Sequence, residues 1–167
     1  TRRLPVAEQE LPDAPIVHEA KVLVVSRAGR VIQLDLASGK PLSRLQLPER
    51  LAATCVLDPR EKRLACLGAQ LGVYIVGLSS SLSVEAVHVR NHSVGLREAR
   101  LVWVDSILLL LLNRPDSHCV VAAFREDAGQ LVHLGADIEI DGHLWQQPPL
   151  LGNSLFLATD SGYLARL

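Results

Sequence analysis

The chain has 167 residues, with 49% hydrophobic and 21% charged side chains, a balance that excludes intrinsic disorder and collagen-like composition. Its 17 basic and 18 acidic residues leave a formal net charge of −1 without a long basic stripe, so a phosphate-binding surface is not indicated and nucleic acid is not expected as a partner. The longest aliphatic run, Ile107 to Leu112, falls far short of the roughly 20 residues of a membrane-spanning helix.

Apolar residues recur with period two or in short runs punctuated by Gly, Pro, Asp and Ser, so the chain reads as all-β with little helix. Lys21–Ser26 and Arg30–Leu36 flank the loop Arg27-Ala28-Gly29 and predict a hairpin. Ala37-Ser38-Gly39-Lys40 then turns the chain into a third strand over Leu42–Leu47, with Gly39 free to take the positive φ that the turn needs. In Cys55–Cys66 a hairpin turning through residues 59–62 pairs Asp58 with Arg63 and, counting back, Cys55 with Cys66. With Cys119, these thiols are expected to be reduced, buried and used as small apolar residues. Asp105 and Ser106 interrupt Leu101–Leu112 as the turn between two strands.

The unit repeats. Pro148–Leu167 aligns over Pro15–Leu34 without a gap, and Val73–Leu78 and Cys119–Phe124 both match Val31–Leu36 in apolar pattern. The spacing fits a period of about 44 residues, the length of one four-stranded propeller blade. The predicted blades cover residues 12–50, 51–90, 96–143 and 144–167, the fourth stopping after its third strand, with residues 1–11 as an outer closing strand. The expected fold is therefore a β-propeller of antiparallel four-stranded blades, either a segment of a larger ring or a small four-bladed closure, forming one domain or part of one.

The stretch Gly29–Lys40, through Asp35, Ser38, Gly39 and Lys40, resembles the repeat of the pyrroloquinoline-quinone-like (quinoprotein-type) β-propellers, and Ala158–Leu167 resembles the strand pair preceding it. That family's repeat carries a Trp three residues beyond the Lys, docked between blades; here the position is Ser43. The resemblance implies either a binding scaffold or an oxidoreductase holding a quinone with Ca²⁺. The missing Trp and the lack of vicinal cysteines favour the scaffold. No nucleophilic triad, phosphate loop or metalloprotease motif is present, and no cofactor is expected.

The function expected is thus non-catalytic protein–protein interaction through loops on one face, with Arg27, Arg30, Arg60, Glu61, Arg114, Asp116, Glu126 and Asp127 as loop candidates. The partner would be another protein or another part of the same propeller. A quinoprotein-like oxidoreductase remnant or a small-ligand sensor is the alternative. Asp137, Glu139, Asp141 and His143 alternate with Ile138 and Ile140, so one strand face gathers three carboxylates that suit a hard cation such as Ca²⁺, or simply discourage edge pairing. Few aromatics and many Leu, Ala and Arg suit a bacterial source, and the compartment, exported or cytoplasmic, stays open.

Overall fold

A computed structural model describes residues 15–58, 63–89 and 98–167, and it is all-β. The chain divides into two compact units, residues 1–89 and 90–167. In the first unit β1 (Ile16–His18), β2 (Lys21–Val25), β3 (Arg30–Asp35) and β4 (Pro41–Gln46) form an antiparallel sheet in chain order. The pattern repeats in β5 (Val56–Asp58), β6 (Arg63–Leu67), β7 (Gly72–Gly77) and β8 (Ser83–Val89).

Local chemistry sets the turns. The Asp35 carboxylate accepts hydrogen bonds from the Ser38 backbone N–H at 2.7 Å and the Ser38 hydroxyl at 2.6 Å, while Gly39 sits at φ +66° and donates to the Asp35 carbonyl. These bonds hold the Asp35 carboxyl below its ordinary range, the Ser38 hydroxyl contributing most. The two sheets of this unit share a core of Leu23, Val31, Leu47, Leu51, Leu64, Val76 and their neighbours, including Cys55 and Cys66. The Ser43 hydroxyl accepts the Leu82 N–H at 2.8 Å. From the same sheet face Lys21 Nζ donates to the carbonyls of Leu78 and Ser79, and Gln33 Nε2 to that of Leu78. Three hydrogen-bonding side chains therefore tie the two sheets of this unit together here.

Asp58 pairs with Arg63 across the β5–β6 hairpin, which brings Cys55 and Cys66 together as buried, unbridged thiols. Burial foremost, and then the neighbouring Cys55, push the Cys66 thiol well up.

In the second unit β9 (Glu98–Val104), β10 (Ile107–Asn113) and the ten-residue β11 (His118–Asp127) run antiparallel. The fourth-strand position is shared: β12 (Gln130–His133) pairs with the far half of β11 and β13 (Ile138–Asp141) with its near half. A three-stranded sheet follows, β14 (Leu150–Leu151), β15 (Ser154–Ala158) and β16 (Leu164–Arg166). Val102, Leu109, Leu111, Val121, Ile140, Leu144, Leu155 and Leu157 form the core between these two sheets. Residues 1–11, the expected closing strand, lie outside the described residues, as do Arg60 and Glu61.

Candidate functional site

Each unit has a seam where the segment leaving one sheet crosses to the next. In the first unit Leu51 bridges Gly68; in the second Leu144 bridges Thr159. The second seam is the more polar. Buried Asn113, at the end of β10, uses its amide twice: Nδ2 donates to the Leu144 carbonyl at 2.9 Å and Oδ1 accepts the Leu144 N–H at 3.0 Å. This satisfies both backbone groups of a buried residue that has left its strand. The Thr159 and Ser161 hydroxyls both donate to the Asp141 carbonyl.

His143 sits between the sheets. Its backbone N–H donates to Asp160 Oδ1 at 2.7 Å, its Nδ1 faces Asp160 Oδ2 at 3.4 Å, and its Nε2 meets the Arg114 carbonyl at 2.7 Å. The Asp160 carboxyl is held below its ordinary range, first by that backbone N–H, with the His143 ring adding to it. Gly142, at φ +87°, lets the chain pass close to Thr159, Asp160 and Ser161, where a Cβ would crowd all three.

Above this network lies a cleft of about 350 Å³ lined by Glu98, Asn113, His143, Leu144, Trp145 and Asp160. Arg100 fixes its rim, with Nη2 donating to Glu98 Oε1 at 2.6 Å and to the Trp145 carbonyl at 3.3 Å. The Trp145 side chain is not packed away: the residue is 70% exposed. The buried Cys119 thiol is pushed up to about 11, chiefly by burial, which makes it an inert packing group rather than a nucleophile.

The sequence candidates are dispersed. Arg27 lies in the β2–β3 turn and Arg30 opens β3. Arg114 and Asp116 lie in the β10–β11 loop beside the cleft and pair with each other at 3.5 Å. Glu126 and Asp127 are not loop residues but the last two of β11, opposite Leu131 and Gln130; the turn itself is Ala128-Gly129. They stand a strand length, roughly 30 Å, from the Arg114 end. Asp137, Glu139 and Asp141 do not converge either. Asp137 pairs with His133 at 2.9 Å, Glu139 with Arg114 at 2.9 Å and Asp141 with His118 at 3.3 Å. No cluster of three metal-ligating groups occurs among the described residues. Each carboxylate faces a different side chain, His133 of β12, Arg114 of the β10–β11 loop and His118 of β11, so the three share no common partner. Asn113 and Trp145 carry no local sign of a site, since their contacts span 31 and 45 positions of sequence, and His143, which continues the alternation of the carboxylates, leaves that strand to meet Asp160 and Arg114.

The sheets define the class of protein: the fold is that of the β-propellers, built from antiparallel four-stranded blades. Solved structures that it resembles include BamB from Moraxella catarrhalis, with a TM-score of 0.62 and 16% identity over 96% of this chain and 47% of that one. The fission yeast SREBP–SCAP binding domains give 0.67 and 15% identity over 99% and 48%. The computationally designed Ika4 protein gives 0.67 and 10% identity over 99% and 94%. The chain thus spans about half the length of the two natural proteins, and at these identities the likeness shows the fold alone. No protein-family model matches the chain, and no curated protein does.

Proposed function

We propose that this chain is a non-catalytic scaffold, one β-propeller domain or part of one, that binds a protein partner through loops at one end of its blades. In the second unit that surface comprises the β10–β11 loop, residues 142–145 and the β15–β16 turn. The observation that carries the reading is Trp145, a large aromatic left 70% exposed at the rim of a cleft whose floor is rigidly hydrogen-bonded. Exposed aromatics on a fixed bed are the residues around which protein interfaces concentrate their binding energy. The fission yeast neighbour, solved as a complex of SREBP and SCAP binding domains, supports a partner-binding use of this architecture.

A photo-cross-linking residue placed at Asp116, beside the cleft, tests this against the same residue placed at Gln130, on the opposite end of the sheet. A discrete protein adduct from position 116 that disappears with Trp145→Ala, and is absent from position 130, is the expected result. Equal adducts from both positions, or adducts indifferent to Trp145, overturn the reading.

A further inference from the structure

The groups that line the cleft are spent unequally, and the unspent ones define a ligand. Asn113 has both amide atoms engaged by Leu144, so the floor offers nothing further to a visitor. Arg100 is turned inward, with Nη2 held by Glu98 and the Trp145 carbonyl. The Glu98 carboxylate uses only Oε1, on Arg100, and its other oxygen takes no hydrogen bond among the described residues; its side chain is 49% exposed. Asp160, on the opposite wall, accepts the His143 N–H at Oδ1 and faces the His143 ring with Oδ2 at 3.4 Å, yet its side chain stays 44% exposed, which leaves its carboxylate oxygens room for further donors. The Trp145 indole makes no hydrogen bond among the described residues.

The free chemistry is therefore an exposed π-face flanked by two carboxylates, acceptor-rich and electron-rich; Arg100 Nη1 also lacks a hydrogen-bond partner, but it is buried and Arg100 is not among the residues lining the cleft. We infer that the cleft beside Trp145 receives an arginine side chain of a partner polypeptide, the guanidinium lying on the indole with its N–H groups directed at Glu98 and Asp160. A guanidinium fits better than an ammonium because it is planar, stacks on an aromatic face and is weakly hydrated, while its forked donors can serve carboxylate oxygens on two sides. The Glu98–Arg100 pair, with Arg100 the more buried partner, orients one carboxylate and, by gripping the Trp145 carbonyl, fixes where the backbone carrying the indole stands. An anionic ligand would meet both carboxylates, and a purely apolar one would strip them of water without replacing it.

The inference rests on the scaffold reading but is tested without any partner. The probe is Nα-acetyl-arginine methylamide, titrated into the full chain while the indole N–H resonances of the two tryptophans are followed, with Trp145→Phe assigning the relevant one. A saturable shift confined to the Trp145 signal is expected, with no response to the neutral isostere Nα-acetyl-citrulline methylamide. Glu98→Gln should weaken binding about threefold and Trp145→Ala about tenfold, both sites being exposed enough to leave the fold intact. Equal responses to arginine and citrulline, or binding indifferent to Glu98→Gln, would overturn it. Cross-linking from position 116 together with a silent arginine probe would sink this inference alone; arginine binding without any protein adduct would leave the cleft assignment standing and remove the scaffold reading.

Discussion

The two seams solve one backbone problem with different chemistry. In both, a Leu of the linker bridges the end of the next sheet's second strand, and the residue after the bridge partner donates its N–H to the carbonyl just before that Leu: Ala69 to Arg50 in the first, Asp160 to His143 in the second. In the first seam a linker side chain closes the space. Glu49 accepts the Gln70 N–H and the Tyr74 hydroxyl, each at 2.6 Å, and its carboxylate occupies room left by the missing side chains of Gly68 and Gly72. In the second, the blade itself reaches up through Asn113, and the linker position that holds Ala52 in the first seam holds Trp145. A crossing filled from above is sealed, whereas one supported from below leaves its upper surface open to a partner.

Sealing requires close approach, so the largest effects are expected in the first seam. Gly29 takes φ +82° and a Cβ there would overlap the Glu49 backbone carbonyl. Gly29→Ala should cost about 3 kcal/mol, seen as a lower denaturation midpoint, because strain and a backbone clash add. The corresponding turn residue of the second seam, Ser117, holds φ +62° with a side chain present, so Ser117→Gly should be neutral or mildly stabilising. Equal losses at the two positions would erase the distinction between a sealed and an open seam.

The second seam should fail through its support. Asn113→Ala strands the buried N–H and carbonyl of Leu144 and should cost about 2 kcal/mol in chemical denaturation. If Asn113→Leu restores most of that loss, packing rather than hydrogen bonding holds the floor. Tyr74→Phe should cost less, about 1 kcal/mol, and should not add to Glu49→Gln in a double-mutant cycle. Burial foremost and then the adjoining Glu49 raise the Tyr74 phenol, so this bond stays intact throughout the neutral range.

Acid separates the seams further. Asp160 has its carboxyl lowered in the folded chain, so its contribution is complete above the ordinary carboxylate value of about 4 and drains away as pH falls through the lower folded value. Wild type and Asp160→Asn should therefore differ in stability at neutral pH and converge in acid. A difference that persists unchanged at the acid end would mean that the Asn substitution disturbs packing instead of removing a charge.

How far these seams were legible beforehand depends on the range of the contacts that make them. The hairpins and the Asp35–Lys40 turn follow from strand alternation and a side chain bonding its own backbone three residues on, so their logic is local. The Asp58–Arg63 register followed for the same reason. The division of the fourth strand between β12 and β13 was hidden, because it depends on β11 being long enough to pair with two strands at once. The carboxylates at and just before β13 alternate in sequence, yet their partners are His133 and His118 on neighbouring strands and Arg114 in the β10–β11 loop. Asn113 and Leu144 stand 31 residues apart, and nothing in either local pattern announces the other.

The smallest expected effect on stability is the most telling about function. Trp145 is held by its backbone, through the Arg100 hydrogen bond to its carbonyl, while its side chain remains in solvent. Removing an indole that packs against little should change the unfolding free energy by less than about 0.5 kcal/mol. If Trp145→Ala instead destabilises the chain as much as Asn113→Ala does, the indole is part of the seam's own packing and the open surface belongs to the fold. If stability is unchanged while cross-linking from position 116 is lost, the indole acts on a partner alone, and the second seam differs from the first because it is used.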